Sequence, residues 1–259
     1  MSAAWQAFDD ELARWGEAGR HVDFWWRDDD ARREHPALGR LLALAERAAV
    51  PLGLAVIPEG AQAGLFDKLP ATVAVLQHGC DHANRAAAGD KKCEFPETDV
   101  QVDALARLAK ARSSLMAVTG GRALPVLVPP WNRLGDRLVI SLPGAGYAGL
   151  SRFGACKVSS AGAGLVEINT HVDLIDWRGS RGFAGEAAVL GRAVRHMAAR
   201  RDGRDASGRR VDGAEPIGWL SHHLVHDEAA WAFLARLFER TGSRPAVHWR
   251  HPAELFALP

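Results

Sequence analysis

The sequence predicts an α/β fold, a distorted (β/α) barrel of about seven to eight parallel strands with helices outside. Three observations carry this: short apolar runs alternate with helical patterns from end to end, no repeat or low-complexity linker divides the 259 residues, and 47% of them are hydrophobic against 24% charged. That composition can bury a large core. Barrels of this length commonly fold as one unit, so residues 21–259 are read as one barrel domain and residues 1–20 as a helix lying on it.

The elements follow in order. Trp5, Phe8, Leu12 and Trp15 recur at helical spacing and define the amphipathic N-terminal helix. Strands are expected at Val22–Trp26, Leu52–Ile57, Thr72–Leu76, Pro125–Val128, Tyr147–Leu150, Leu165–Thr170, Ile217–Leu220 and Ala246–Trp249. Between the first two, Leu38, Leu41, Leu42, Ala45 and Ala48 make one apolar helical stripe. Thr98 and Gln101 have capping-box spacing and open a helix whose stripe runs through Val102, Leu105, Ala109 and Met116. Further helices are expected at Gly185–Arg200 and Asp227–Arg240, the second stopped by Gly242 in a left-handed cap. The polar, Gly-rich stretch Arg201–Glu215 reads as an exposed loop.

Charge and cysteine usage exclude several classes. Lys plus Arg is 32 and Asp plus Glu is 31, so no net field draws nucleic acid or an anionic membrane surface. No apolar run approaches the roughly 20 residues of a membrane helix. Residues 1–20 carry Asp9, Asp10, Glu11 and Glu17, unlike a secretory signal. Cys80, Cys93 and Cys156 have no paired spacing and cannot form a disulfide framework, which fits a reducing, cytoplasmic setting.

Three clusters follow apolar runs, where the strand ends of an α/β domain gather active-site residues. They are Asp28-Asp29-Asp30, His78-Gly79-Cys80-Asp81-His82 and Ser221-His222-His223. His78 and His82 can face one point across a tight turn, although such a pair alone is also compatible with two ordinary polar histidines. Three adjacent acids at a strand end repel one another unless a cation or hydrogen bonds offset them; a helix N-cap is the plainer reading. Two imidazoles and one carboxylate would leave coordination positions open, as catalytic zinc requires, and the same set suits non-haem iron. Cys80 reads as a small buried thiol. A second pairing, His222 with His226 beside Asp227, is the rival metal set, and His171, two residues before Asp173, is either a cleft residue or a hydrogen-bonded core histidine.

In these motifs the chain resembles the polysaccharide deacetylases of carbohydrate esterase family 4. The family's Phe-Asp-Asp motif is similar to Asp28-Asp29-Asp30, which implies Asp29 as general base and Asp30 as metal ligand; Asp28 stands where an aromatic is usual. Its His-x-x-x-His motif matches His78 and His82, implying them as the other ligands. Asp173-Leu174-Ile175-Asp176-Trp177 matches the Asp-x-x-Asp-Trp motif, in which Asp173 would tune the catalytic histidine. The final His-Asp motif resembles His222-His223, with His222 as general acid and His223 in place of the Asp. The Arg-x-Pro motif departs most: it reads Val128-Pro129-Pro130-Trp131-Asn132-Arg133, without the arginine that holds the base, so Arg27 or Arg133 would have to substitute. The resemblance spans Phe24 to about Leu258 in the family's motif order.

It implies a hydrolase that removes an acetyl group, as amide or ester, from a carbohydrate, using a divalent metal, foremost Zn2+. Trp131, Asn132, Arg133 and Trp177 would contact the substrate, an acetylated carbohydrate or related small amide. A protein that keeps the fold to bind metal or glycan without turnover is the rival, favoured by the missing arginine. A two-histidine iron oxygenase is disfavoured by the strand-helix alternation. Of nine Trp, most should be core and one or two could floor a sugar cleft.

Overall fold

The computed structural model describes residues 2–67, 69–156 and 164–258. Nine strands lie in one sheet among the described residues: β1 (Val22–Ala31), β2 (Leu52–Val56), β3 (Val73–His78), β4 (Ala123–Val128), β5 (Gly149–Leu150), β6 (Val166–Glu167), β7 (Val172–Asp173), β8 (Ile217–Ser221) and β9 (Val247–Trp249). Their order is β6-β5-β4-β3-β2-β1-β8-β7, with β9 pairing β1 as well, and every pairing is parallel. The helices are α1 (Ala3–Glu17), α2 (Pro36–Ala48), α3 (Gly64–Asp67), α4 (Gln101–Val118), α5 (Asp136–Ser141), α6 (Glu186–Asp202), α7 (Glu228–Thr241) and α8 (Pro252–Leu255).

One short segment closes the sheet on itself. The amides of Val166, Ile168 and Thr170 donate to Ala148, Leu150 and Arg152 on the β5 side, whereas those of His171 and Leu174 donate to Gly218 and Leu220 on β8. β6 and β7 are therefore successive halves of one extended stretch that changes partner at Thr170, which makes the barrel distorted.

The period-two alternation of β1 sorts its side chains between two cores. Trp25 points inward and meets Ala55, Leu76, Val126, Val128 and Phe256. Gly218 has no side chain because a Cβ there would lie 2.5 Å from the Asn169 carbonyl oxygen and collide with the Trp25 indole. Phe24 and Trp26 face the helical layer, where Trp26 packs on Phe238 of α7 with ring centroids 4.8 Å apart. In that layer α1 buries Trp5, Phe8, Leu12 and Trp15, and Phe8 stacks on Phe24. Past β9, α8 turns Phe256 into the barrel, edge-on to Trp25.

Local details correct three expectations. α4 begins at Gln101 with Val100 as an N-cap that offers no side-chain hydrogen bond, so Thr98 forms no capping box. The face α4 buries is Ala104, Leu108 and Leu115, while Val102 is exposed, because the core lies one residue round from the stripe read in the sequence. Gly242 ends α7 with φ −63, right-handed, its amide donating to Phe238. No described helix is long and apolar enough to cross a membrane.

Candidate metal centre and active site

Each of the three adjacent aspartates has its own countercharge. Asp28 faces the helical layer and is fully buried, accepting from Ser221 Oγ (2.6 Å), the His223 amide (3.0 Å) and His223 Nδ1. Burial alone would raise its pKa, but His223 and the Ser221 hydroxyl outweigh it and hold Asp28 below the usual carboxylate range. Cross-strand register makes this possible, since Asp28 pairs directly with Ser221 of β8.

Asp29 lies on the opposite face, with Arg27 two residues before it. Arg27 is fully buried, and its Nη2 donates to Asp29 Oδ2 (3.0 Å) and Asn132 Oδ1 (2.6 Å), while Nη1 donates to Ser151 Oγ (2.6 Å). Arg27 Nε lies 2.8 Å from Asp29 Oδ1. That second contact is a charge contact without hydrogen-bond alignment, so Asp29 Oδ1 is buried with no hydrogen-bond partner.

Asp30 leaves the regular strand. Pairing of β1 with β2 shifts register between Asp28 and Ala31, and Asp30 has φ 74. A side chain in this left-handed region carries a conformational cost. The turn presents the Asp30 carboxylate to His78 Nε2 (3.2 Å) and His82 Nε2 (3.4 Å). One ligand atom from each of the three lies within 4.8 Å of the others, a spacing that can hold a metal ion.

The surroundings fit that role. His78 Nδ1 lies 2.9 Å from the Val128 carbonyl oxygen. A carbonyl only accepts, so Nδ1 carries a proton, the outer contact typical of metal-bound histidine, while burial is outweighed by Asp30 and Asp29, which raise the His78 pKa and favour a proton on Nε2 that a bound ion would displace. Burial opposes charge on Asp30, yet the His78 hydrogen bond and the nearby His78, His222 and His82 hold its carboxyl far below the usual range. Burial and the field of His78 push His82 down, toward the neutral form that ligation needs.

The histidine loop is shaped by residues that carried no recognisable motif. Gly79 has φ 58, and a Cβ would collide with Glu94 Oε2 and come within 2.6 Å of Pro130. Glu94 is fully buried and accepts from the amides of Cys80 (3.0 Å) and Asp81 (3.0 Å), fixing the turn between the histidines. Burial, with Asp81 beside it, pushes Glu94 up to about 7. Cys80 packs with Phe95 and Leu108, and burial raises its thiol pKa.

His222, at the end of β8, is 8% exposed, and its Nδ1 has no hydrogen-bond partner. The expected direct bond from Asp173 is replaced by an indirect arrangement. Asp173 accepts from the Ile175 amide (2.9 Å) and Trp177 Nε1 (2.8 Å), and the Trp177 ring stands edge-on to His222 at 4.7 Å. Burial raises the Asp173 pKa against the field of His222. His223 is fastened to Asp28 and does not stand in for an aspartate beside His222. The rival set around His226 does not form: Asp227 caps α7 by accepting from Ala230, and His226 packs edge-on against Trp231. His171 is a core histidine, accepting from the Gly218 amide and lying 3.2 Å from Glu215.

The residues expected to touch substrate divide. Trp131 packs against His82 with centroids 4.4 Å apart, and Trp177 is 43% exposed, so both offer ring surface beside the centre. Asn132 instead holds Arg27. Arg133 donates to the Lys92 carbonyl and lines a separate cavity of about 540 Å³, so of these two arginines it is Arg27 that contacts Asp29. The cleft over the centre, about 520 Å³, is walled by Asp30, Arg32, Ile57, His82, His223 and Leu224.

No family model matches the sequence, and no curated protein does. Solved structures do. A Mycobacterium smegmatis protein assigned to the polysaccharide deacetylases aligns over 91% of this chain and 90% of its own, with TM-score 0.61 at 14% identity. A family 4 acetyl xylan esterase from Clostridium thermocellum, solved with a cobalt ion, aligns over 92% and 93%, with TM-score 0.53 at 13% identity. The peptidoglycan deacetylase PdaC of Bacillus subtilis aligns over 91% and 90%, with TM-score 0.53 at 13% identity. The chain therefore has the fold of these deacetylases and esterases.

Proposed function

We propose that this protein is a metal-dependent hydrolase that removes an acetyl group, amide or ester, from a carbohydrate. The observation that carries the reading is the convergence, at one barrel end, of a three-ligand cluster with an arginine-held carboxylate and a buried imidazole nitrogen that has no hydrogen-bond partner. They are Asp29, whose Oδ1 lies 2.8 Å from Arg27 Nε, and His222 Nδ1. Buried polar groups are nearly always satisfied, so an unpartnered one beside a cleft suggests a partner that arrives with substrate.

Asp30, His78 and His82 would hold the ion, for which zinc fits a set of two nitrogens and one oxygen. When bound, a divalent ion there acidifies water and polarises a carbonyl oxygen. Asp29 takes the proton from the attacking water, while Arg27, which contacts both carboxylate oxygens, keeps it oriented. His222 gives a proton to the leaving nitrogen or oxygen. Asp173 acts on it through Trp177, whose ring limits how the imidazole can turn. Trp131 and Trp177 offer faces on which a sugar ring can rest, and the cleft volume falls in the range of small-ligand sites.

Arg27 at the place of the absent motif arginine counts against the inactive-binder reading, because the base keeps its anchor. Acetate release from small acetylated sugars, with and without added zinc, tests the proposal. Zinc-dependent release that is lost in Asp29→Asn supports it; release by Asp29→Asn at the parent rate contradicts it. His223 also borders the cleft, so the acid is assigned by comparing rates of His222→Ala and His223→Ala at equal metal content. The larger loss is expected in His222→Ala.

A further inference from the structure

A second group of ligating side chains lies at the other end of β1. His21 and Asp23 are two residues apart and share a face of the chain. His248 is the direct register partner of Asp23 across the β1–β9 pairing, so all three project together. One ligand atom from each lies within 4.8 Å of the others. Asp23 Oδ1 stands 3.8 Å from His21 Nε2 and 3.9 Å from His248 Nδ1, and the two imidazoles stack with centroids 3.9 Å apart.

Two features separate this group from a chance surface pair. Asp23 Oδ1 is buried and has no hydrogen-bond partner, although a nitrogen of each histidine lies within 4 Å of it. Its other oxygen is already used: Arg250 Nη1 lies 3.1 Å from Asp23 Oδ2, and the Arg250 charge is balanced by Glu254 at 3.0 Å. The free oxygen and the two nitrogens are thus a three-donor set with one side open to solvent. Zinc bonds of about 2.0–2.1 Å place tetrahedral ligands roughly 3.3 Å apart. The two oxygen-to-nitrogen distances exceed that by about half an ångström, and the stacked, half-exposed imidazoles would turn about their side-chain bonds to aim both nitrogens at one ion.

We propose that His21, Asp23 and His248 bind a second divalent transition-metal ion, zinc by its ligand chemistry, which ties β9 to β1. Asp23 lies seven residues, about 23 Å, along β1 from Asp30. The site is independent of the catalytic reading. β9 pairs only with β1 among the described strands and leads into α8 and the Phe256 plug, so an ion here fastens the C-terminal segment that fills the barrel. Its effect is on stability, because a ligand that binds only the folded chain shifts unfolding by mass action.

The test is zinc titration of chelator-stripped full-length protein by calorimetry, with thermal unfolding followed in parallel. His21→Gln/His248→Gln should bind one zinc fewer than the parent and keep its metal-free unfolding midpoint. In an Asp30→Ala background zinc should still raise the midpoint, and adding His248→Gln should abolish that rise. An unchanged zinc count in the double variant overturns the proposal, as does a midpoint rise that survives His248→Gln in the Asp30→Ala background. His21→Gln alone, at an exposed position before the strand, serves if the double variant fails to fold. A zinc count that falls in His21→Gln/His248→Gln but is unchanged in Asp30→Ala would sink only the catalytic reading.

Discussion

At the residue scale, one strand end holds three carboxylates because each has a separate solution to its charge: Asp28 with His223, Asp29 with Arg27, Asp30 with two imidazoles. The Arg27–Asp29 pair is buried, where removing one partner leaves a charge without compensation. Arg27→Met should cost about 3–5 kcal/mol in chemical denaturation. Arg27→Met/Asp29→Asn should recover much of that stability and none of the activity. Equal stability of Arg27→Met and parent would show that the pair is not the anchor described. Asp29→Asn should keep the parent's metal content and lose roughly 10²- to 10⁴-fold in turnover, the usual worth of a positioned base. Much of this was readable from one sequence: the apolar run before the triplet marked a strand end, and residues 27 and 29 must share a strand face. The Asp28–His223 pair was not readable, because it depends on β1 and β8 being neighbours, which spacing along the chain does not encode.

At the scale of elements, the loop from His78 to His82 depends on Gly79 and Glu94. Gly79→Ala should weaken metal retention in dialysed protein, since φ 58 and contact with Pro130 both oppose a side chain. Glu94 gives a pH signature. The folded chain holds its proton up to about 7 where the unfolded chain releases it near 4.5, so between those values the native state binds more protons. Its contribution is full below the unfolded pKa and is lost as pH rises through about 7. Denaturation of the metal-free protein should therefore show stability falling across that window, less steeply in Glu94→Gln; equal slopes would contradict the assignment. Nothing in the sequence marked Glu94, which sits in a loop without periodicity and works through backbone amides. The N-terminal helix was legible from Trp5, Phe8, Leu12 and Trp15. Its intimacy with β1 was less so, and Phe8→Ala should cost about 3–5 kcal/mol as a buried aromatic truncation.

At the scale of the whole molecule, the barrel sorts chemistry by its ends. Alternation of strands and helices identified the parallel architecture, and every strand read in the sequence is present. What could not be read was closure, since the stretch from Val166 to Asp173 serves two neighbours in turn, and the Phe256 plug, since a single aromatic after the last strand has no pattern. The carboxyl ends of β1, β3 and β8 bring Asp29, Asp30, His78, His82 and His222 together, and the whole account depends on an ion being held among them. Anomalous scattering from zinc-soaked crystals measures this directly. The account predicts a peak bonded to one oxygen of Asp30 and to Nε2 of both His78 and His82 at about 2.0–2.2 Å. No peak between those three side chains, in crystals that bind zinc elsewhere, would contradict it.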